Sequence, residues 1–289
     1  MSSRIVIQTR TFGVLRWVVI AVLIIATVFP FYYMLELSFV PMQDLLLHPD
    51  RLWVPIQNLT FATYQNVLAS TSSGGQGFAG FMVNSGIVAI ATVVVTLAVA
   101  IPASYAVARL KFFGQRQIST LFLVVYLFPV IIIAIPLFVG FSALGIRESL
   151  VGLTIVYIAQ TIPVSVHMLR SYLKTLPVSI EEAAMMDGAS RLRILRQITI
   201  PLAMPTIVST GLYVFMIAWN EFLFALLFLT ADRNLWTVSL GLSQLSNGIE
   251  VSKTVLMAGS VLLTVPIIVL YGFAERALTE GLTSGADKG

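Results

Sequence analysis

Residues 82–107 read MVNSGIVAIATVVVTLAVAIPASYAV, an unbroken stretch without one charged side chain. Wound as a helix it is about 39 Å long, enough to cross the roughly 30 Å hydrocarbon core of a bilayer, which takes about 20 apolar residues. Further apolar runs of comparable kind lie at 17–39, 118–141, 150–166, 206–229 and 255–273, and 150–166 is the shortest of them. The composition agrees. The 289-residue chain is 58% hydrophobic and 10% charged, where a soluble domain carries about 25% charged residues. No strand signal stands out, and open backbone in hydrocarbon leaves polar groups unpaired. The expected fold is therefore all-α: a polytopic membrane protein with six transmembrane helices, forming a single transmembrane domain over 1–289.

The first run has a basic flank (Arg4, Arg10, Arg16), but it is longer than the roughly 7–15 residues of a signal-peptide core and lacks a cleavage site of small residues. It reads as a retained first helix. With the N-terminus inside, the inward segments hold 13 of the 17 basic residues, and only Arg51, Arg147, Arg233 and Lys253 face outward. Basic residues concentrate on the cytoplasmic side of membrane proteins. Both termini are thus expected in the cytoplasm, and the net charge of +4 reflects topology and contact with lipid, with no nucleic-acid partner required. The chain has no cysteine, which excludes disulfides and thiol chemistry. His48 and His167 fall on opposite sides of the membrane, so no metal site is expected.

Between the runs, the outward loop 40–81 should carry short helical pieces, with Thr71–Gly77 as a flexible linker by composition. Glu36, near the outer end of the first run, should snorkel to the interface. The inward loop 167–205 is the informative one. Its segment 178–201 reads VSIEEAAMMDGASRLRILRQITIP. Ser179 followed by Glu182 has the spacing of a capping box. Glu181 and Glu182 suit the positive end of a helix, and Ala183 and Ala184 leave one face low enough for close approach. Asp187-Gly188 should break the helix, because glycine tolerates the left-handed conformation of a helix C-terminus. Ser190 should cap a second helix, with Leu192, Leu195 and Ile198 on one side, Arg191, Arg193 and Arg196 on the other, and Pro201 at its end. Two readings compete: arginines resting on anionic headgroups, or a rigid knob that docks into a protein.

The spacing Glu182-Ala183-Ala184, three residues, Gly188, nine residues, Ile198-x-Ile200-Pro201 resembles the EAA loop of ABC-importer permeases, with Ile200 where that pattern has leucine. Two further stretches are similar to the carbohydrate-type permeases of the maltose-transporter G-subunit kind. One is Ala218-Trp219-Asn220-Glu221-Phe222-Leu223-Phe224-Ala225. The other is the C-terminal Glu280–Gly289, where Asp287 replaces a small apolar residue. The resemblance covers nearly the whole chain. It implies a permease subunit in the bacterial cytoplasmic membrane, acting with a homologous sister permease, two cytoplasmic ATPase subunits and an extracellular substrate-binding protein, and importing a sugar or oligosaccharide. It also implies that Ser179, Glu181, Glu182, Ala183, Ala184, Asp187, Gly188, Arg191 and Arg193 form the ATPase-coupling surface, and that the tail around Gly285 and Lys288 reaches the ATPase. Independently, no phosphate-binding Gly-x4-Gly-Lys-[Ser/Thr] loop occurs. ATP and Mg are accordingly expected on the partner, with no cofactor on this chain, which should not itself be an enzyme.

Polar residues inside apolar runs are costly and often functional. Asn84, Trp219, Asn220 and Glu221 could line a pathway or contact substrate; alternatively Asn220 and Glu221 pair structurally with the sister subunit or with Asn84. Gln160 and Thr161, next to Pro163, could line a pathway or mark a kink. An ion-coupled carrier with Glu221 as its ion site would explain a buried carboxylate but not the loop motif. A cargo of glycerol phosphodiesters or polyols would keep the importer class. An intramembrane hydrolase lacks Gly-x-Ser-x-Gly and His-Glu-x-x-His.

Overall fold

The computed structural model describes residues 2–48, 53–247 and 253–286, and every regular element among them is helical. In chain order these are α1 (Ser2–Ser38), α2 (Met42–Leu47), α3 (Ala62–Leu68), α4 (Phe78–Arg109), α5 (Gln115–Leu127), α6 (Val130–Ala143), α7 (Leu150–Leu173), α8 (Val178–Met186), α9 (Arg191–Ile194), α10 (Ile200–Leu202), α11 (Met204–Asn220), α12 (Leu223–Leu229), α13 (Val238–Asn247) and α14 (Lys253–Ala286). A π-helical turn, Leu195–Thr199, joins α9 to α10. Among the described residues, four stretches are long and apolar enough to cross a membrane: Leu15–Ser38, Phe78–Arg109, Leu150–Leu173 and Lys253–Glu275. A fifth candidate is the pair Arg191–Leu202 and Met204–Asn220, bent by 78°.

Two expected spans are broken. The run 118–141 is α5 and α6, interrupted at Phe128-Pro129, where both residues adopt extended backbone. The run 206–229 is α11 and α12, interrupted at Glu221 and Phe222. Hydropathy averages across both breaks because the interrupting residues are mostly apolar. The fourth run is longer than expected: α7 continues to Leu173, so the loop that follows it begins later than 167.

Contacts gather the chain into two compact units, Met1–Gly77 with Leu245–Leu262 and Phe78–Gln244 with Leu263–Gly289. In the first, Glu36 does not snorkel: its Oε1 accepts from the Val54 amide at 2.5 Å, and the Ser38 and Tyr64 hydroxyls meet at 2.7 Å. The Thr71–Gly77 stretch is folded tightly, not a flexible linker. Gly74 lies at φ +80, the amides of Gly75 and Gly77 donate to Ser70 and Ala69, and a Cβ on Gly75 would lie 2.4 Å from the Ala69 carbonyl oxygen.

The second unit is built on α4 packed against α7 and α11. The buried face of α4 is a stripe of small and hydroxyl-bearing residues, including Ser85, Ala89, Thr92, Thr96, Ala100 and Ser104. Its opposite face exposes Val83, Ile87, Ile90 and Val94. In lipid, greasy side chains gain nothing by leaving the solvent, so helices associate through small residues and interhelical hydrogen bonds. Thr96 and Thr161 supply one such bond, Oγ1 to Oγ1 at 2.9 Å, and Thr161 also donates to the Tyr157 carbonyl on its own helix. Proline at 163 leaves α7 continuous. On α11, Gly211 brings its backbone to α4; a Cβ there would sit 3.3 Å from the Leu97 methyl.

Candidate functional site

The candidate residues of the second unit fall in three places: the loop after α7, the break after α11, and a cavity against α7.

In the loop, α8 starts two residues earlier than the capping box requires. Pro177 is its N-cap and makes no side-chain cap bond, which puts Ser179 inside the first turn, exposed and capping nothing. Asp187-Gly188 ends the helix. Gly188 has φ +80, its amide donates to Met185, and the Ala189 amide donates to Ala184, the paired bonds of a Schellman motif. Ser190 then caps α9 by accepting from the Arg193 amide at 3.4 Å. The second helix does not stop at Pro201; the π-turn carries it to Leu202, and the chain bends at Ala203. Its inward side chains are Ile194 and Thr199, while Leu192 points outward at 64% exposure.

The two adjacent glutamates separate. Glu182 is exposed, together with Ala183, Asp187, Arg191 and Arg193; Ala184 is half-buried. Glu181 is buried and turns back onto α4. Arg109 donates from Nε to its Oε1 at 2.9 Å and from Nη2 to the Leu176 carbonyl at 3.0 Å, and the Tyr105 hydroxyl donates to its Oε2 at 3.1 Å. Glu181 thus anchors α8 and is absent from its outer surface. That surface instead carries Val178, Ile180, Met185 and Met186, the last 88% exposed.

At the break, Glu221 serves as the C-cap of α11. Its carboxylate accepts from the Phe224 amide at 3.0 and 3.1 Å, more weakly from the Ala225 amide, and from the Tyr157 hydroxyl at 2.5 Å. Ser239 donates to its main-chain carbonyl at 2.6 Å. A carboxylate at the N-terminus of α12 satisfies amides the helix cannot satisfy itself. Trp219 is buried with Nε1 donating to the Leu263 carbonyl at 3.0 Å. Asn84 binds the carbonyls of Asn234 and Trp236 at 2.7 and 3.0 Å. Of the candidates in this region, Asn220 alone faces outward. Its Nδ2 donates to the Met216 carbonyl within its own helix at 2.9 Å, and the residue is exposed.

Gln160 is placed apart from these, on a cavity of about 510 Å³ lined mainly by apolar side chains of α5, α6 and α7, with Thr161 and Tyr213 as its other polar neighbours. Gly285 lies at the end of α14, and Lys288 lies outside the described residues. Sequence reasoning missed Tyr105, Arg109, Tyr157 and Ser239 as partners. Arg109 registered only as an inward charge, and no local pattern links it to a glutamate so distant in the chain.

The comparisons with known proteins match this architecture. The family of binding-protein-dependent transport system inner membrane components matches residues 100–283. The inner membrane ABC transporter permease protein YcjP of Escherichia coli strain K12 is 38% identical over 271 residues, 93% of this chain and 94% of that protein. The trehalose/maltose transport system permease protein MalG of Thermococcus litoralis is 36% identical over 267 residues, 92% and 93% of the two chains. Among solved structures, a chain of a bacterial ABC transporter that imports the acidic polysaccharide alginate superposes with a TM-score of 0.77 at 23% identity, over 93% of this chain and 97% of that one.

Proposed function

Because the chain belongs to the family of binding-protein-dependent transport system inner membrane components, we propose that it forms half of the translocation pathway of an ABC importer for a sugar or oligosaccharide. In this reading it works beside a sister permease, receives cargo from an extracellular binding protein, and is driven by two cytoplasmic ATPase subunits that hold the ATP and Mg. As a permease it is a transport subunit and not an enzyme. The chain acts as one transmembrane domain, multi-pass in the bacterial inner membrane with both termini cytoplasmic. Each broken run, α5 with α6 and α11 with α12, makes one crossing, which brings the crossings to six.

The observation that carries the coupling role is the outer surface of α8. A nine-residue helix exposes Met186, Val178 and Ile180 beside Glu182 and Ala183, on a segment too short and too charged to enter a bilayer. Uncovered apolar side chains of this kind mark a protein contact. The residues of the coupling surface are then Ser179, Glu182, Ala183, Ala184, Asp187, Gly188, Arg191 and Arg193, with Glu181 holding them from behind. Asn220 and Gln160 are the pathway candidates with polar atoms still available. An ion-coupled carrier is disfavoured, because every oxygen of Glu221 already has a partner within the chain. The sugar cargo rests on the relatives, one of which is a trehalose/maltose permease.

The test is uptake of radiolabelled trehalose or maltose by cells expressing the chain with its neighbouring sister permease, ATPase and binding protein. Uptake should stop on ATP depletion and on removal of the ATPase. Uptake that survives both and collapses with the ion gradient overturns the proposal.

A further inference from the structure

The side chains of α8 are almost all outside the fold. Between residues 178 and 189 Glu181 alone is buried, and Ala184 and Ala189 are half-buried. The helix is short, and it hangs between the four-residue link 174–177 and the left-handed turn at Gly188. An isolated helix of nine residues is marginal by itself, so its orientation depends on what its ends and side chains are tied to. The link is tied to the last turn of α7 by the amides of Lys174, Thr175 and Leu176, but none of these backbone bonds reaches α4.

The side chain of Glu181 supplies the missing constraint. Arg109 stands at the last turn of α4. Its guanidinium and the Glu181 carboxylate are 6% and 7% exposed. The same guanidinium holds the Leu176 carbonyl in the link, and Tyr105, one turn earlier on α4, holds the second carboxylate oxygen. Three directed bonds therefore fix the first turn of α8 and its entry link to one helix end. A single apolar contact would resist separation but not rotation; two oxygens bonded to donors from two residues resist both. The ion pair also sits beneath the surface that faces outward, so a partner pressing on Glu182 or Met186 loads it directly.

We infer that Arg109, Glu181 and Tyr105 form a strut that makes α8 move as one body with α4, so that displacement of the coupling helix is delivered to the transmembrane helices without slack. These are positioning residues. The inference rests on the permease reading above, and it adds a residue-level transmission path.

The absence of cysteine allows a direct test. Val99→Cys on α4, 44% exposed, and Ala189→Cys, half-buried in the turn that closes α8 and outside its docking face, are spin-labelled in the full chain, assembled with its sister permease and ATPase in nanodiscs. The distance distribution is measured by pulsed electron resonance without nucleotide and with ATP and vanadate. In the otherwise unaltered chain the distribution should be narrow and keep its centre in both states. Glu181→Gln should widen it roughly twofold, and Tyr105→Phe, which removes one bond and no charge, should widen it less. Glu182→Gln should leave the width unchanged while weakening co-purification of the ATPase. A distribution as narrow in Glu181→Gln as in the parent overturns the strut, as does a parent distribution that shifts with nucleotide. If no ATPase co-purifies with the parent, the permease reading fails instead, and the nucleotide-free widths still decide the clamp.

Discussion

Glu221 is a carboxylate whose position inside an apolar run suggests chemistry and whose bonds are those of a helix cap. It takes the first amides of α12 and the Tyr157 hydroxyl. Loss of an N-terminal cap costs about 0.5–2 kcal/mol, so Glu221→Ala should lower the thermal midpoint of the purified protein, with Glu221→Gln milder because it still accepts. An unchanged midpoint with altered cargo selectivity would return the residue to the pathway. Gly188 is the second decisive residue. A β-branched side chain at φ +80 faces a left-handed backbone penalty of about 1–2 kcal/mol. Gly188→Val should abolish coupled transport yet leave insertion and expression intact; full coupling in that variant would place the docking surface elsewhere. Asn220 and Glu221 are neighbours in sequence with similar polarity, yet one faces out and the other is consumed. A linear pattern does not distinguish them, because the difference comes from where α12 begins and from Tyr157 on another helix.

At the scale of elements, packing inverts the soluble rule. Along the middle of α4, Val83, Ile87, Ile90 and Val94 face outward while Ser85, Ala89, Thr92 and Thr96 face inward, so stability is sensitive to added volume. Gly241 on α13 is one such site: a Cβ there would meet the Phe81 ring at 2.4 Å, and that ring is held between Phe78 and Trp236. Gly241→Val should destabilise by about 1–3 kcal/mol through overpacking, seen as a lower midpoint in detergent. The knob responds differently. Met186→Asp touches no internal contact, so the midpoint should stay constant while ATPase co-purification falls; retained co-purification would move the interface away from α8. The apolar periodicity made α4 and α7 easy to locate. It concealed the breaks at Phe128-Pro129 and Glu221, since Pro102 and Pro163 sit inside α4 and α7 without interrupting them and proline alone does not announce a break.

For the whole molecule, the proposed crossings are checked by sidedness. Phe61 and Met186 are both well exposed, and three proposed crossings, α4, α5 with α6, and α7, separate them. Single cysteines placed there should react with an impermeant thiol reagent from opposite faces of the membrane. Labelling from one face would mean that α5 and α6 do not cross together.

Length, hydropathy and the inward bias of arginine are sums over many residues, and they suffice to establish a helical membrane protein; the Glu-Ala-Ala-x3-Gly spacing is local and suffices for the helix, its glycine turn and the second cap. The pairing of Glu181 with Arg109, the closure of Glu221 onto Tyr157 and α12, and the solitary exposure of Asn220 were decided only in three dimensions. Each depends on which distant helix supplies a donor within about 3 Å, and composition and periodicity along one chain carry no record of that distance.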